Sequence, residues 1–249
     1  MCLIVFSWQV VCNHPLIAVA NRDEYYSRAS APAGWWADHP NIFAPRDLQA
    51  GGTWMGLAKL DYEGHKFAAV TNVRDGSEMM ANAPTRGQLV SDYLSGHDTI
   101  ENFIERIAAK ADSYNGFNLL LGEISKEKQE LRWFSNRNTT NPKNGQILVP
   151  GIYGLSNGDL DSPWPKVSKT KAELASLLCQ RAPQEAYFEM LSNTLPAPDV
   201  RLPDTGVSLD TERLLSSVCI QSEHYGTRSS AMLKLNGEFE MEYHERIVR

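Results

Sequence analysis

With 249 residues, 42% of them hydrophobic, the chain has enough apolar content for a sizeable core and reads as one domain over 1–249. A formal net charge of −6 and a pI near 5.5 exclude a broad electrostatic attraction to nucleic acid or anionic lipid. The cysteines at 2, 12, 179 and 219 form no CxxC pair or zinc spacing and are too sparse for a secreted disulfide scaffold, so a reducing, cytosolic compartment is expected.

Residues 3–10 (LIVFSWQV) are β-branched, aromatic and apolar, and a turn signal at Cys12-Asn13-His14-Pro15 leads into a second apolar run, Leu16 to Ala20. The pattern predicts a hairpin. Its start mimics a secretory leader, but no Lys or Arg precedes the apolar part and Gln9, Asn13, His14 and Pro15 interrupt it, so neither a leader nor a membrane span of about 20 apolar residues is expected. With the tip near Cys12 and Asn13, opposed residue numbers sum to about twenty-five, which sets Cys2 near Asp23 in the cluster Asn21-Arg22-Asp23-Glu24. Four polar residues after a strand otherwise read as a solvated loop.

Residues 25–50, with Trp35-Trp36 and Pro45-Arg46-Asp47, read as a polar loop over one end of the sheet. A second hairpin, Gly51 to Leu57 and Phe67 to Asn72 with its tip near Glu63, sets Asn72 opposite Thr53 and Trp54. Helical spacing predicts Arg86–Ser95 and Asp98–Ala111 as helices; strands follow at Phe117–Ile124, Glu130–Phe134 and Gln146–Asn157. A helical block over Lys169–Ser192 breaks near Pro183, and the Pro- and Asp-rich stretch Leu195–Asp210 reads as loop. Strands at Val218–Gln221, Thr227–Leu235 and Glu238–Ile247 complete the chain, the last two joined at Asn236-Gly237. Helix pairs beside eight or more antiparallel strands imply an α+β fold of stacked sheets with outer helices.

Cys2 carries the chemical interest. If Met1 is removed, a thiol of ordinary pKa about 8.5 shares a residue with an α-amine of about 7.8, so nucleophile and base reside together. Acyl transfer through a thiol also requires preorganised donors for the developing oxyanion, and the amides of Asn72 and Asn157, both at strand ends, suit that task. Each feature has a structural alternative: free Cys packs as a small buried hydrophobe, and Asn caps strand ends. Trp54 and the Trp35-Trp36 pair suit either an apolar cleft wall or a core. Gly51-Gly52 and Gly56 match neither a P-loop nor a dinucleotide fingerprint, and the six scattered histidines show no HExxH spacing, so no metal site is expected.

The segments MCLIVF, ANRDEYYSR, GGTWMGL, AAVTNVR, TRGQLV, NGFNLLLGE, GLSNGDLDSPWPKV and YGTRSS, in this order and nearly end to end, resemble the NRDE or transport and Golgi organisation 2 family. That family is in turn similar to N-terminal-nucleophile hydrolases of the cysteine branch, which implies a single domain over 1–249 built as a four-layer αββα sandwich. By this resemblance Cys2 is the nucleophile, Asp23 holds the amine and thiol, Asn72 and Asn157 stabilise the oxyanion, and Arg228 closes the site. Arg22 and Trp54 are the expected ligand contacts. The hydrolases carry an arginine three residues before the aspartate, where this chain has Ala20. The resemblance implies two functions of different class. One is handling of haem, lipid or acyl-CoA as amphipathic cargo in the cytosol, with no required cofactor and an axial ligand such as Cys2 if haem is held; the other is amide or thioester hydrolysis through Cys2.

Overall fold

A computed structural model describes residues 2–249, with side chains from residue 3 onward. In chain order the strands begin with β1 (Cys2–Val11), β2 (His14–Tyr25), β3 (Ser30–Trp35), β4 (Ile42–Asp47), β5 (Met55–Lys59) and β6 (Gly64–Asn72). Helices α1 (Arg86–Ser95) and α2 (Ile100–Ala108) precede β7 (Phe117–Ser125), β8 (Gln129–Ser135) and β9 (Gly151–Leu155). Then come α3 (Pro165–Gln180), α4 (Gln184–Leu191), α5 (Leu209–Leu215), β10 (Tyr225–Leu235) and β11 (Met241–Ile247). The chain forms two compact units, one comprising the residues up to Ser27 with 74–77 and 150–249, the other 28–73 and 78–149.

The first unit is built on an antiparallel sheet ordered β11-β10-β2-β1-β9. Alternate residues Leu3, Val5, Ile17, Val19 and Met232 meet Val167, Leu174, Phe188 and Leu191 of α3 and α4 in one apolar cluster. The intervening residues Ile4, Phe6, Trp8, Leu16 and Ala18 are buried as well, which explains why β1 and β2 read as continuous apolar runs instead of alternating ones. Pro165 opens α3, where its missing N–H is no loss; Arg181 ends it in the left-handed region, and Pro183 precedes α4.

The second unit is a six-stranded antiparallel meander, β3 to β8 in sequence order. Leu89, Tyr93, Phe103 and Ile107 of α1 and α2 pack on Ala68, Val70, Phe117, Leu119 and Leu121 of its central strands. Buried Lys66 donates from Nζ to the carbonyls of Gly96 (2.9 Å) and Asp98 (3.0 Å), satisfying acceptors where α1 ends. Trp36 lies in this core and donates from Nε1 to the Ala44 carbonyl at 3.0 Å, whereas Trp35 is half exposed against Phe43. The expected α+β class therefore holds: two antiparallel sheets, each with helices against one face.

Several sequence expectations require correction. In the β1–β2 hairpin the partners Trp8 and Leu16 sum to 24, while Val11 and His14 sum to 25, because an extra residue is accommodated in a bulge between Trp8 and Val11 with Gln9 at φ 53°. Cys2 consequently pairs with Arg22, one position along β2 from Asp23 and within the neighbourhood expected. The second hairpin also runs at a different sum, Met55 pairing with Ala69 and Trp54 accepting from the Val70 amide, so Asn72 does not face Thr53 or Trp54. The stretch 25–50 contains β3 and β4; β3 (SAPAGW) is an edge strand whose Pro and Gly hide its character. Residues 218–221 form no named strand, the backbone of Ile220 bonding instead to the Thr227 hydroxyl and backbone. The stretch expected as loop, Leu195–Asp210, contains a 3-10 turn at Asp199–Arg201 and ends where α5 begins at Leu209 behind the N-cap Ser208. The final hairpin closes through 236–240, and the positive φ belongs to Phe239. A Cβ at Gly237 would meet the exposed Asn13 side chain, which would have to shift.

Candidate functional site

The Asn21-Arg22-Asp23 segment is the end of β2 and is buried, at 0%, 5% and 1% exposure, which removes the solvated-loop alternative. Asn21 has a structural duty. Its Nδ2 donates to the carbonyls of Leu191 (2.8 Å) and Val218 (2.9 Å), and its Oδ1 accepts from Ser230 Oγ (2.6 Å), joining β2 to the end of α4 and to β10. Arg22 lies 4.0 Å from Glu24 and opposite Cys2 in the ladder. The Cys2 thiol and the Met1 amine lie outside the described residues.

Asp23 Oδ1 accepts from Thr227 Oγ1 at 2.6 Å, and the same hydroxyl accepts from the Ile220 amide at 2.9 Å. One side chain thus fixes both the carboxylate and the irregular segment beside it. Burial pushes the Asp23 carboxyl above its ordinary value, opposed by the charge of Lys166, the Thr227 hydrogen bond and Arg22. Lys166, in the first turn of α3, is itself buried. Cys219 completes this neighbourhood; burial raises its thiol pKa, its contact with Thr227 opposes the rise, and the Asp23 charge adds to it. The arrangement combines a buried carboxyl that burial pushes toward its protonated form, a cation and a thiol.

Asn157 is fully buried, with Oδ1 accepting from Ser156 Oγ at 3.2 Å and its carbonyl accepting from the Arg74 amide at 2.7 Å. Arg74 stacks 4.8 Å over the Trp164 ring and donates to Glu212 at 2.7 Å. Arg228, at a bulge between Thr227 and Ser229, donates to the carbonyls of Tyr25 (3.0 Å), Tyr26 (3.2 Å) and Arg249 (2.8 Å), contacts that tie the C-terminal segment to the end of β2. Of the expected residues, Arg22, Asp23, Asn157 and Arg228 belong to the first unit. Asn72 and Trp54 belong to the second, Asn72 at the end of β6 paired with Phe117, and Trp54 packed against that unit's core.

A separate groove of about 770 Å³ opens in the first unit between the β1–β2 turn and the C-terminal half of α3. Val10, Ile17, Ile152 and Leu178 give it an apolar wall, and Cys12, His14 and Cys179 bring sulfur and imidazole to it. Both cysteines are exposed free thiols. The His14 Nδ1 lies 3.3 Å from the Cys12 carbonyl. Arg181 and Lys234 add positive charge, Lys234 being paired with Glu242 at 3.3 Å. No three His, Cys, Asp or Glu side chains converge on a metal-sized site among the described residues.

The sequence profile of the Transport and Golgi organisation 2 family matches residues 1–249. The chain belongs to that family. A human Transport and Golgi organization protein 2 homolog is 30% identical, over 99% of this chain and 92% of the human one, and the bovine homolog is 29% identical over the same shares. The Drosophila melanogaster Transport and Golgi organization protein 2 is 29% identical over 98% of this chain and 91% of its own. Among solved structures, Anbu, an ancestral beta-subunit from Yersinia bercovieri, aligns with a TM-score of 0.48 and 11% identity over 99% of this chain and 87% of that one. Within this Transport and Golgi organisation 2 family chain, sequence reasoning missed Thr227, Lys166 and Cys219 beside Asp23. Thr227 lies in the YGTRSS segment and Lys166 in PWPKV, both quoted as family motifs, but only tertiary folding brings them to a carboxylate some two hundred and one hundred and forty positions away.

Proposed function

We propose that this family member carries an amphipathic ligand of haem or lipid type in the cytosol, seated in the groove between the β1–β2 turn and α3. The observation that carries this reading is the composition of that groove: about 770 Å³, within the range of small-molecule sites, with an apolar wall, cations at hand, and Cys12, His14 and Cys179 as axial-ligand types. Thiolate or imidazole would hold a haem iron, and Arg181 and Lys234 would meet its carboxylates. Titration of haemin into the full chain, followed by its Soret band, tests the reading. Saturable binding that weakens at least about tenfold in one of Cys12→Ser, His14→Ala or Cys179→Ser is expected, each tenfold being about 1.4 kcal/mol. A fluorescent fatty acid displaced by haemin would extend the reading to lipid. Affinity for both probes unchanged in the triple variant would overturn it.

A second reading is a cysteine-nucleophile amidohydrolase or acyl-transfer enzyme acting through Cys2. It is favoured by the buried Asp23, one position along β2 from the ladder partner of Cys2 and anchored by Thr227. On this reading Cys2→Ala abolishes turnover of acyl amides and thioesters while haemin affinity persists, and intact mass shows Met1 removed. Retention of Met1 in the active protein would exclude a self-activating N-terminal cysteine.

A further inference from the structure

A second cleft in the first unit, about 780 Å³ in volume, opens where α3 begins. Three cations line it: Lys166 and Lys169 from the first turns of α3, and Arg201 from the short 3-10 turn Asp199–Arg201. Leu195, Pro196 and Val218 supply an apolar wall, and among the described residues no Asp or Glu lines the cleft. In a chain with 30 acidic and 24 basic residues, a cleft with only cations runs against the overall charge.

Two carboxylates near Arg201 are engaged with another cation. Asp199 accepts from Arg213 through both oxygens (2.8 and 2.6 Å), and Asp210 accepts from the same guanidinium at 2.7 Å. Lys169 and Arg201 are exposed and form no ion pair with a described residue. Lys166 differs, because its charge acts on Asp23. The positive end of the α3 dipole lies here too, although Pro165 at the first helical position offers no N–H and the Ser168 amide donates to the Trp164 carbonyl at 2.9 Å.

The geometry points to an organic-phosphate site in this cleft, the phosphate lying between Lys169, Arg201 and the start of α3, and the organic body resting on the Leu195–Pro196 wall. A phosphate ester fits better than a carboxylate: it carries up to two charges and three free acceptor oxygens against the two cations Lys169 and Arg201. The site is separate from the groove proposed for cargo and does not depend on it. Its ligand would be a soluble phosphoester or the headgroup of a phospholipid, which share this chemistry.

Calorimetric titration of the full chain with hexyl phosphate and with hexanoate tests the assignment. Expected are saturable hexyl phosphate binding, hexanoate weaker by about tenfold, and a loss of about tenfold or more in Lys169→Glu and in Arg201→Glu, as expected for removing one charged hydrogen-bond partner. Lys169→Arg and Arg201→Lys retain binding. Both side chains are exposed, so an unchanged denaturation midpoint establishes that the variants are folded. Co-sedimentation with phosphatidylcholine vesicles doped with phosphatidic acid, lost in the same charge reversals, identifies a lipid source; binding of hexyl phosphate without vesicle binding identifies a soluble one. Absence of saturable hexyl phosphate binding, or equal binding by the charge-reversed variants, overturns the assignment.

Discussion

Asp23 is held by a hydroxyl that itself receives a backbone amide, so one residue, Thr227, positions the carboxylate and the Ile220 segment together. Thr227→Val removes the donor while keeping the side-chain shape and leaves a buried carboxylate less satisfied, at a cost of about 1–3 kcal/mol. Urea unfolding should show that loss, with Thr227→Ser recovering most of it; a valine variant as stable as wild type would remove Thr227 from this role. The raised carboxyl pKa fixes the sign of a second test. The native state binds the Asp23 proton more tightly than the unfolded chain does, so the contribution is fully present below the ordinary value of 3.8 and is lost as pH rises through the native pKa. Asp23→Asn cannot titrate and retains an acceptor for Thr227. The stability of wild type minus that of Asp23→Asn should therefore fall as pH rises from 3.8, and a flat difference would contradict a raised Asp23.

At the scale of elements, the places where sequence and structure agree are those where one local signal dominates. The 3.6-residue spacing of Leu89 and Tyr93 gives α1 its observed bounds, and Pro183 breaks the second helical block as expected. The tip at Cys12-Asn13 is legible for the same reason, Asn13 adopting φ 61°. The bulge was not legible. Gln9 is no turn residue, yet it takes φ 53° and shifts every pair from Trp8 to Cys2 by one, which moves Cys2 from Asp23 to Arg22. Glycine fits a left-handed position without a Cβ penalty, and a β-branched residue suits it least. Gln9→Gly should equal or exceed wild type in stability, while Gln9→Val loses about 1–2 kcal/mol by chemical denaturation. Equal stabilities for glycine and valine would mean that the bulge contributes no strain.

Across the whole molecule, the two-sheet α+β class was legible because apolar runs, turn residues and helical spacing all agree; the neighbourhood of Asp23 was not, because Lys166, Cys219 and Thr227 arrive from other elements. Tertiary burial also sets a pH response that neither composition nor motif announces. In the second unit His65 on β6 is buried, and desolvation, aided by Lys59, lowers its pKa from 6.5 to about 4. Between these values the unfolded chain holds a proton that the native imidazole refuses, so this contribution is present above pH 6.5 and is lost as pH falls toward 4. Its slope reaches at most about 1.4 kcal/mol per pH unit. Asp23 in the first unit acts with the opposite sign, since acidification relieves its buried charge. The two sheets should therefore respond differently to mild acid. Hydrogen exchange, corrected for intrinsic rates and read by peptide at pH 7 and pH 5, should show protection falling in β6 and β7 more than in β2 and β10. His65→Phe removes the titrating group at similar volume and should flatten the β6–β7 response, whereas Asp23→Asn should leave that response intact. An equal acid loss in both sheets, persisting in His65→Phe, would place the pH sensitivity elsewhere than at this histidine.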